Sequence, residues 1–259
     1  MNANYPSIRV LGSRIHLVSV DDIIANIAEW IDTYQQGKPC RQIVVTGFHG
    51  IWEAHQRPDF KAILNAADLW APDGIAPVWI ARLKGFKKVY RTPGADIMQA
   101  FFQEAQRKGY KSFFYGDTDE TLEALKKNLN LAYPNHQTVG VFSPPFRPLT
   151  AEEDDAIIAM INNAKPDVIW VGLGLPKQDR WIGDRKNRLN APVAIGVGAA
   201  FGFLSGKVKW VPRLVGESGF EWLWRFIQEP KKLWRRDLLD GPRFIVHVIL
   251  ELLGLKRYD

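Results

Sequence analysis

An acid, Asp73, stands between Pro72 and Gly74, just after a short apolar run and just before an amphipathic helical pattern. Pro72 fixes its own φ and restrains Ala71, and Gly74 permits a tight turn. A carboxyl group held there lies on a loop at a strand end and beside a helix N-terminus, where open α/β sheets bind ligands. A second helix begins near Pro93-Gly94-Ala95-Asp96, with Arg91 just ahead of it. An acid and a base 18 positions apart, each beside a helix start, could face one pocket. The acid would accept a proton and the base would hold an anion. The plainer alternative makes Asp73 and Asp96 helix caps and leaves Arg91 as surface charge.

Two glycine-rich runs follow apolar strand patterns. Gly172-Leu173-Gly174-Leu175-Pro176-Lys177-Gln178 opens a helix, and Gly196-Val197-Gly198-Ala199-Ala200-Phe201-Gly202 follows the next strand. Glycine lets the backbone approach a phosphate, and a helix N-terminus supplies N–H groups. The second run is G-x-G-x-x-x-G rather than the dinucleotide fingerprint, and no acid closes a following strand to hold a ribose. A nicotinamide-linked oxidoreductase is therefore disfavoured, while a nucleotide or phosphate ligand is expected.

Other candidates are weaker. Asp117-Thr118-Asp119 matches the D-x-D that holds a divalent metal in many sugar-nucleotide transferases, but it opens a helix, where Asp and Thr are good caps. His49 follows the strand end at Thr46 and could touch a substrate or serve as a cap; His49 and His55 lack the spacing of a zinc pair. No G-x-S-x-G is present, and Cys40, the single cysteine, lies in a polar pre-strand loop, so nucleophilic hydrolase chemistry has no support.

The elements that must position these residues alternate. Strand patterns at 42–46, 68–71, 112–115, 138–142, 167–173 and 192–197 are interleaved with helical ones, and a hairpin at 9–18 is expected to turn at Gly12-Ser13. That is the pattern of an α/β, Rossmann-like, largely parallel sheet with helices on both faces. Near Pro212 the character changes: to residue 259 the chain reads as helical, aromatic and rich in Arg and Lys. The expected organisation is a core over 1–212 and a C-terminal amphipathic helical appendage over 213–259.

A net charge of +6 suits anionic partners, and ten Trp with fourteen Phe suit a large apolar core or an amphipathic surface. A lone cysteine fits a reducing compartment. The first residues carry no signal-peptide pattern, and no run of about 18 uncharged apolar residues predicts a membrane span.

Four ordered blocks, APDGIAPVW with RTPGADI, GLGLPKQDRWI, GVGAAFGFLSGKVKWVP and GFEWLWRFIQEPKKLWRR, resemble the bacterial WecG/TagA/CpsF glycosyltransferase family from about residue 8 to 238. The resemblance implies an inverting, metal-independent enzyme. It would move an N-acetylmannosamine-type, glucosyl or related residue from a UDP-sugar to a polyprenyl-diphosphate-linked saccharide in cell-surface polysaccharide synthesis. It puts the catalytic aspartate at Asp73 and matches Thr46, Arg91 and Gln178, with Arg225, Lys232 and Arg235 of the appendage brought to the active site. Lys232 replaces an arginine of some members, losing a bidentate fork but keeping the charge. The chain also departs from many members in Gly47-Phe48-His49-Gly50, where they carry an asparagine, and at Gly202, where they carry an aspartate.

On this reading Asp73, Arg91 and Thr46 are catalytic. Gln178, Lys177, Gly172, Gly174, Gly198, Ala199, His49, Arg225, Lys232 and Arg235 bind substrate, and no cofactor or metal is required. The expected partners are the UDP-sugar, the lipid-linked acceptor, an acidic membrane surface and a second copy of the chain, not nucleic acid. The expected location is cytoplasmic, peripheral on the inner face of the membrane. The alternative from another class is a nucleotide-binding regulatory module docked on acidic membranes by its basic tail.

Overall fold

The computed structural model describes residues 5–210 and 221–258. The chain begins with strands β1 (Ser7–Val10) and β2 (Ser13–His16), then α1 (Val20–Asp32), β3 (Arg41–Thr46), α2 (Phe48–Gln56), α3 (Pro58–Asn65), β4 (Leu69–Pro72) and α4 (Ile75–Leu83). It continues with α5 (Gly94–Lys108), β5 (Lys111–Gly116), α6 (Asp119–Ala132), β6 (Gln137–Phe142), α7 (Ala151–Ala164), β7 (Val168–Gly172), α8 (Lys177–Arg185), β8 (Val193–Gly196) and the short α9 (Ala200–Leu204). The C-terminal part holds α10 (Glu221–Gln228), α11 (Pro230–Trp234), a π-helical stretch (Arg235–Asp240) and α12 (Gly241–Leu252).

Six strands form one sheet in the order β4-β3-β8-β7-β5-β6, flanked by helices, which is the α/β fold expected. The pairings β3–β8, β7–β8, β5–β7 and β5–β6 are all parallel. Fully buried strands such as β7, with Val168, Ile169, Trp170 and Val171, read as continuous apolar runs because helices cover both faces.

Contacts divide the chain into two compact units. The first comprises residues 1–19, 46–93 and 209–259, the second 20–45 and 94–208. The expected boundary at 212/213 falls in 211–220, outside the described residues. In the first unit the helices after residue 220 are built into the core: Leu233, Phe244 and Val248 are buried. Glu251 of α12 accepts the Leu11 N–H at 2.8 Å and pairs with Lys84 at 3.1 Å. His247 packs on Trp52 and His55 and takes a 2.8 Å hydrogen bond with the Tyr258 hydroxyl. In the second unit Tyr115 stacks on Trp181 within a cluster that includes Phe113, Ile161, Val171 and Ile182.

The hairpin turns one residue earlier than expected. The register Val10↔Ser13 leaves Leu11 and Gly12 as the loop, at φ 50° and 82°. Two left-handed residues match the twist of a two-residue hairpin. Gly-Ser reads as the turn pair, but Leu11 takes the left-handed position, held there against its strain by the burial of its side chain.

Candidate active site

In the first unit the site is built on a backbone cross-brace. Thr46 ends β3 and Asp73 follows β4; the Asp73 N–H donates to the Thr46 carbonyl at 3.3 Å. Gly47 lies so close that a Cβ there would overlap the Asp73 carbonyl. Gly50, one turn on, leaves no room for a Cβ over the buried Thr46 side chain. This is why Gly47-Phe48-His49-Gly50 carries a glycine at each end. Thr92 then donates from both its N–H and its hydroxyl to the Pro72 carbonyl, at 2.9 and 3.0 Å. The residue before Asp73 and the residue after Arg91 are thereby stitched together.

Asp73 is half-buried and does not cap α4. The cap position is Gly74, at φ 78°, and no side chain caps that N-terminus. Asp73 therefore sits beside the first N–H groups and the positive dipole end of α4. Asp96 is an exposed first-turn acid of α5. His49 lies in the first turn of α2, where burial lowers its pKa; Glu53, Arg236, Asp237 and Asp240 are the charges acting on it. Its Nδ1 is buried without a hydrogen-bond partner among the described residues. Arg236 also lies over the Phe48 ring, 6.0 Å from its centroid.

In the second unit the two glycine-rich runs close neighbouring parallel strands, with Val171 opposite Gly196. This is the carboxyl edge of an open sheet, where ligands collect. Gly172 has a packing role, since a Cβ there would run into the Phe201 ring. Gly174 and Gly198 adopt positive φ, 74° and 51°, and Ala199 is the cap position of α9. Lys177 is exposed at the start of α8, whereas Gln178 is 2% exposed. The Gln178 Oε1 is buried with no hydrogen-bond partner among the described residues and lies 3.4 Å from where a Gly198 Cβ would stand. An unsatisfied buried acceptor in that position suits a ligand donor group.

A model of the Glycosyl transferase WecG/TagA/CpsF family matches residues 8–258. The chain belongs to that family. Curated relatives named N-acetylglucosaminyldiphosphoundecaprenol N-acetyl-beta-D-mannosaminyltransferase include a Bacillus spizizenii protein, 29% identical over 89% of this chain and 87% of its own. The Bacillus subtilis protein of that name is 28% identical over 77% of this chain and 75% of its own. A Staphylococcus aureus relative is 28% identical over 68% and 67%.

In this family member the D-x-D is engaged at a helix start. Thr118 caps α6, its hydroxyl accepting the Thr121 N–H, and Asp119 is a first-turn acid. Asp117 accepts the Thr118 N–H at 2.8 Å and lies 3.8 Å from the Lys207 ammonium. Of the appendage residues, Arg225 is half-buried on α10 and Arg235 is exposed at the start of the π-helical stretch. Lys232 belongs to α11, and its side chain lies outside the described residues. No helix among the described residues is long and apolar enough to cross a membrane.

Asp179 is a functional candidate that sequence reasoning missed. It is fully buried, and its pKa is pushed up to about 7 by burial, which the Gln178 amide and its own backbone N–H oppose. Gln42 holds the Asp179 carbonyl with a 3.0 Å hydrogen bond from Nε2. A Cβ on Gly196 would stand 2.8 Å from both Asp179 Oδ1 and Gln178 Nε2, so that glycine makes room for the pair. In sequence Asp179 looks like an ordinary first-turn acid; only the match of Gln42 and Gly196 to it, distant in the chain, marks it.

Proposed function

We propose that this chain transfers an N-acetylmannosaminyl-type residue from a UDP-sugar to a polyprenyl-diphosphate-linked N-acetylglucosamine. The observation that carries the reading is the braced Thr46–Asp73 pair. It is an acid held at an uncapped helix N-terminus, beside a stitched Arg91, in a member of a glycosyl transferase family. Asp73 takes the proton from the acceptor hydroxyl as its oxygen attacks the anomeric carbon and the UDP oxygen departs from the opposite face, which inverts the configuration. The departing diphosphate is stabilised by fixed positive charge from backbone N–H groups, Arg91 and the basic residues Arg225, Lys232 and Arg235. Gln178 and the glycine turns at Gly174 and Gly198 receive the nucleotide sugar. The names of the relatives support the donor sugar and the acceptor.

No metal takes part in this reading, because the D-x-D serves as a helix start with Asp117 committed to Thr118. The acceptor is lipid-linked, so the enzyme works at an acidic membrane surface. Exposed Ile245, Val246, Ile249 and Leu253 of the tail, next to Arg243, Lys256 and Arg257, support peripheral docking. Release of UDP from a UDP-N-acetylmannosamine donor, dependent on a short-chain polyprenyl-diphosphate-GlcNAc acceptor and undiminished by excess EDTA, is the expected result. Donor turnover restored by Mg²⁺ after EDTA would return the metal role to Asp117 and Asp119.

A further inference from the structure

We infer that α4 and the loop after it form a second lipid-docking surface, which takes acidic phospholipid headgroups beside the loop that carries Asp73. The inference rests on the lipid-linked acceptor proposed above. Between Asp73 and Asp96 the chain has no acidic residue and five Lys or Arg. Single exposed apolar side chains are ordinary on a protein surface, but a cluster is not. Trp79 is 53% exposed, Leu83 74%, Phe86 36% and Tyr90 55%, all within a twelve-residue stretch. Trp79 and Leu83 are four apart on α4 and share a face, while Val78, Ile80 and Ala81 turn inward. Arg82, Lys87 and Lys88 are exposed among them.

Aromatic and aliphatic side chains interleaved with cations of one sign are what a headgroup layer accepts. A second copy of the chain fits less well. Pairing this surface with itself would place like charges together. The surface is also held in a fixed shape. Lys84 is withdrawn from it, donating to the Arg9 carbonyl at 2.5 Å and pairing with Glu251. The excursion leaves the core directly after Asp73 and returns where Thr92 bonds the Pro72 carbonyl. Headgroups bound here lie in the layer that also holds the diphosphate of a lipid-linked acceptor, next to Asp73 and Arg91.

The full chain tests this with Leu83→Cys carrying a bimane probe, since the one native cysteine, Cys40, is 1% exposed. Phosphatidylglycerol/phosphatidylcholine vesicles should shift the probe to the blue, pure phosphatidylcholine should not, and about 0.5 M salt should reverse the shift. Arg82→Gln/Lys87→Gln/Lys88→Gln should weaken vesicle binding by roughly fivefold per cation, about a hundredfold in all. Its turnover on a water-soluble short-chain acceptor should be unchanged. A probe that stays in water while the protein binds acidic vesicles would overturn the proposal, leaving docking to the tail. So would a shift that needs no vesicles and grows with protein concentration, which would identify a second copy as the occupant. A loss of soluble-acceptor turnover as large as the loss of vesicle binding would move these residues into catalysis instead. Absence of turnover with every acceptor would sink the transferase reading by itself, while the probe would still report the surface.

Discussion

Asp73 and Asp179 are two acids placed where a strand passes through a turn into a helix, and their surroundings are opposite. Asp73 is half-buried, held by its backbone, and beside a helix start that no side chain caps. Asp179 is fully buried, sits against a side-chain amide, and is pushed towards its neutral form. A carboxyl group that must take a proton and return it to solvent needs access to water. A carboxyl group that only fixes a neighbour does not. On the proposed function, the same residue type thus separates into a chemical role and a positioning role by environment alone.

The largest test of that separation is Asp73→Asn. It keeps the shape and the backbone brace to Thr46, so the melting temperature should move by no more than a few degrees. Turnover should fall by about 10²–10⁴-fold, the usual worth of a general base. Near-wild-type turnover from a folded Asp73→Asn protein would remove the distinction.

Next in size is Gly196→Ala. Its Cβ would meet both Asp179 Oδ1 and Gln178 Nε2 at 2.8 Å, within a strand whose side chains are all buried. Overpacking of this kind costs about 1–3 kcal/mol, a drop of several degrees in melting temperature, and it should raise the donor KM. Gly174→Ala is the control. Its φ of 74° strains an alanine, but nothing lies within 4 Å of the new methyl group. It should cost less and leave the Gln178–Asp179 pair in place. Equal losses from both would mean that turn strain, rather than the pair, dominates at this edge.

Much of the scaffold was legible in the sequence, for a physical reason. A parallel sheet covered on both faces makes each strand a short apolar block and each helix an amphipathic one, so β3, β5, β7 and β8 stand out within a residue or two of their ends. The loop of Asp73 was legible because Pro72 and Gly74 are local signals. What failed to show depends on residues far apart in the chain. In the sequence His247 and Glu251 stand only as polar positions within an apolar run. They are its attachment points, to Trp52, His55 and Tyr258 and to Leu11 and Lys84. A chain cut after Val211 would therefore lose buried Leu233, Phe244 and Val248 from the first unit. Substitutions on the exposed tail face are a cleaner probe of the membrane docking proposed for it than truncation.

The pH dependence of stability sharpens the comparison further. Asp179 titrates near 7 in the folded chain and near 3.8 when unfolded. Between those values the folded state holds the extra proton, so stability falls as pH rises through the window. His16 has the reverse sign: burial, with Arg14 nearby, lowers it from 6.5 to about 4, against a hydrogen bond from the Trp70 N–H. Its contribution is full above pH 6.5 and is lost as pH falls towards 4. Asp179→Asn should thus raise the melting temperature relative to wild type more at pH 7.5 than at pH 5, by a few degrees. An equal change at both values would show that Asp179 is ionised throughout that range.

The smallest expected effect belongs to Gln178. At 2% exposure, truncation to alanine would open a cavity and confuse packing with binding. Gln178→Met keeps the length of the side chain and removes the amide, so it separates the two. Two hydrogen-bonding functions disappear together. One is the Oε1 acceptor, unsatisfied among the described residues beside Gly198. The other is the amide contact to Asp179. If Oε1 receives a donor group of the nucleotide sugar, the donor KM should rise by about tenfold, the worth of one hydrogen bond of roughly 1.4 kcal/mol, with kcat nearly unchanged. The melting temperature should fall by only a few degrees, because the neutral form of Asp179 is the cheaper one to leave without the amide. Adding Asp179→Asn to Gln178→Met should then change the donor KM little, since the residue that Asp179 positions is already gone. Independent, additive increases in KM from the two substitutions would show that Asp179 acts on the donor without Gln178, and the division between a chemical acid and a positioning acid would need a different second member.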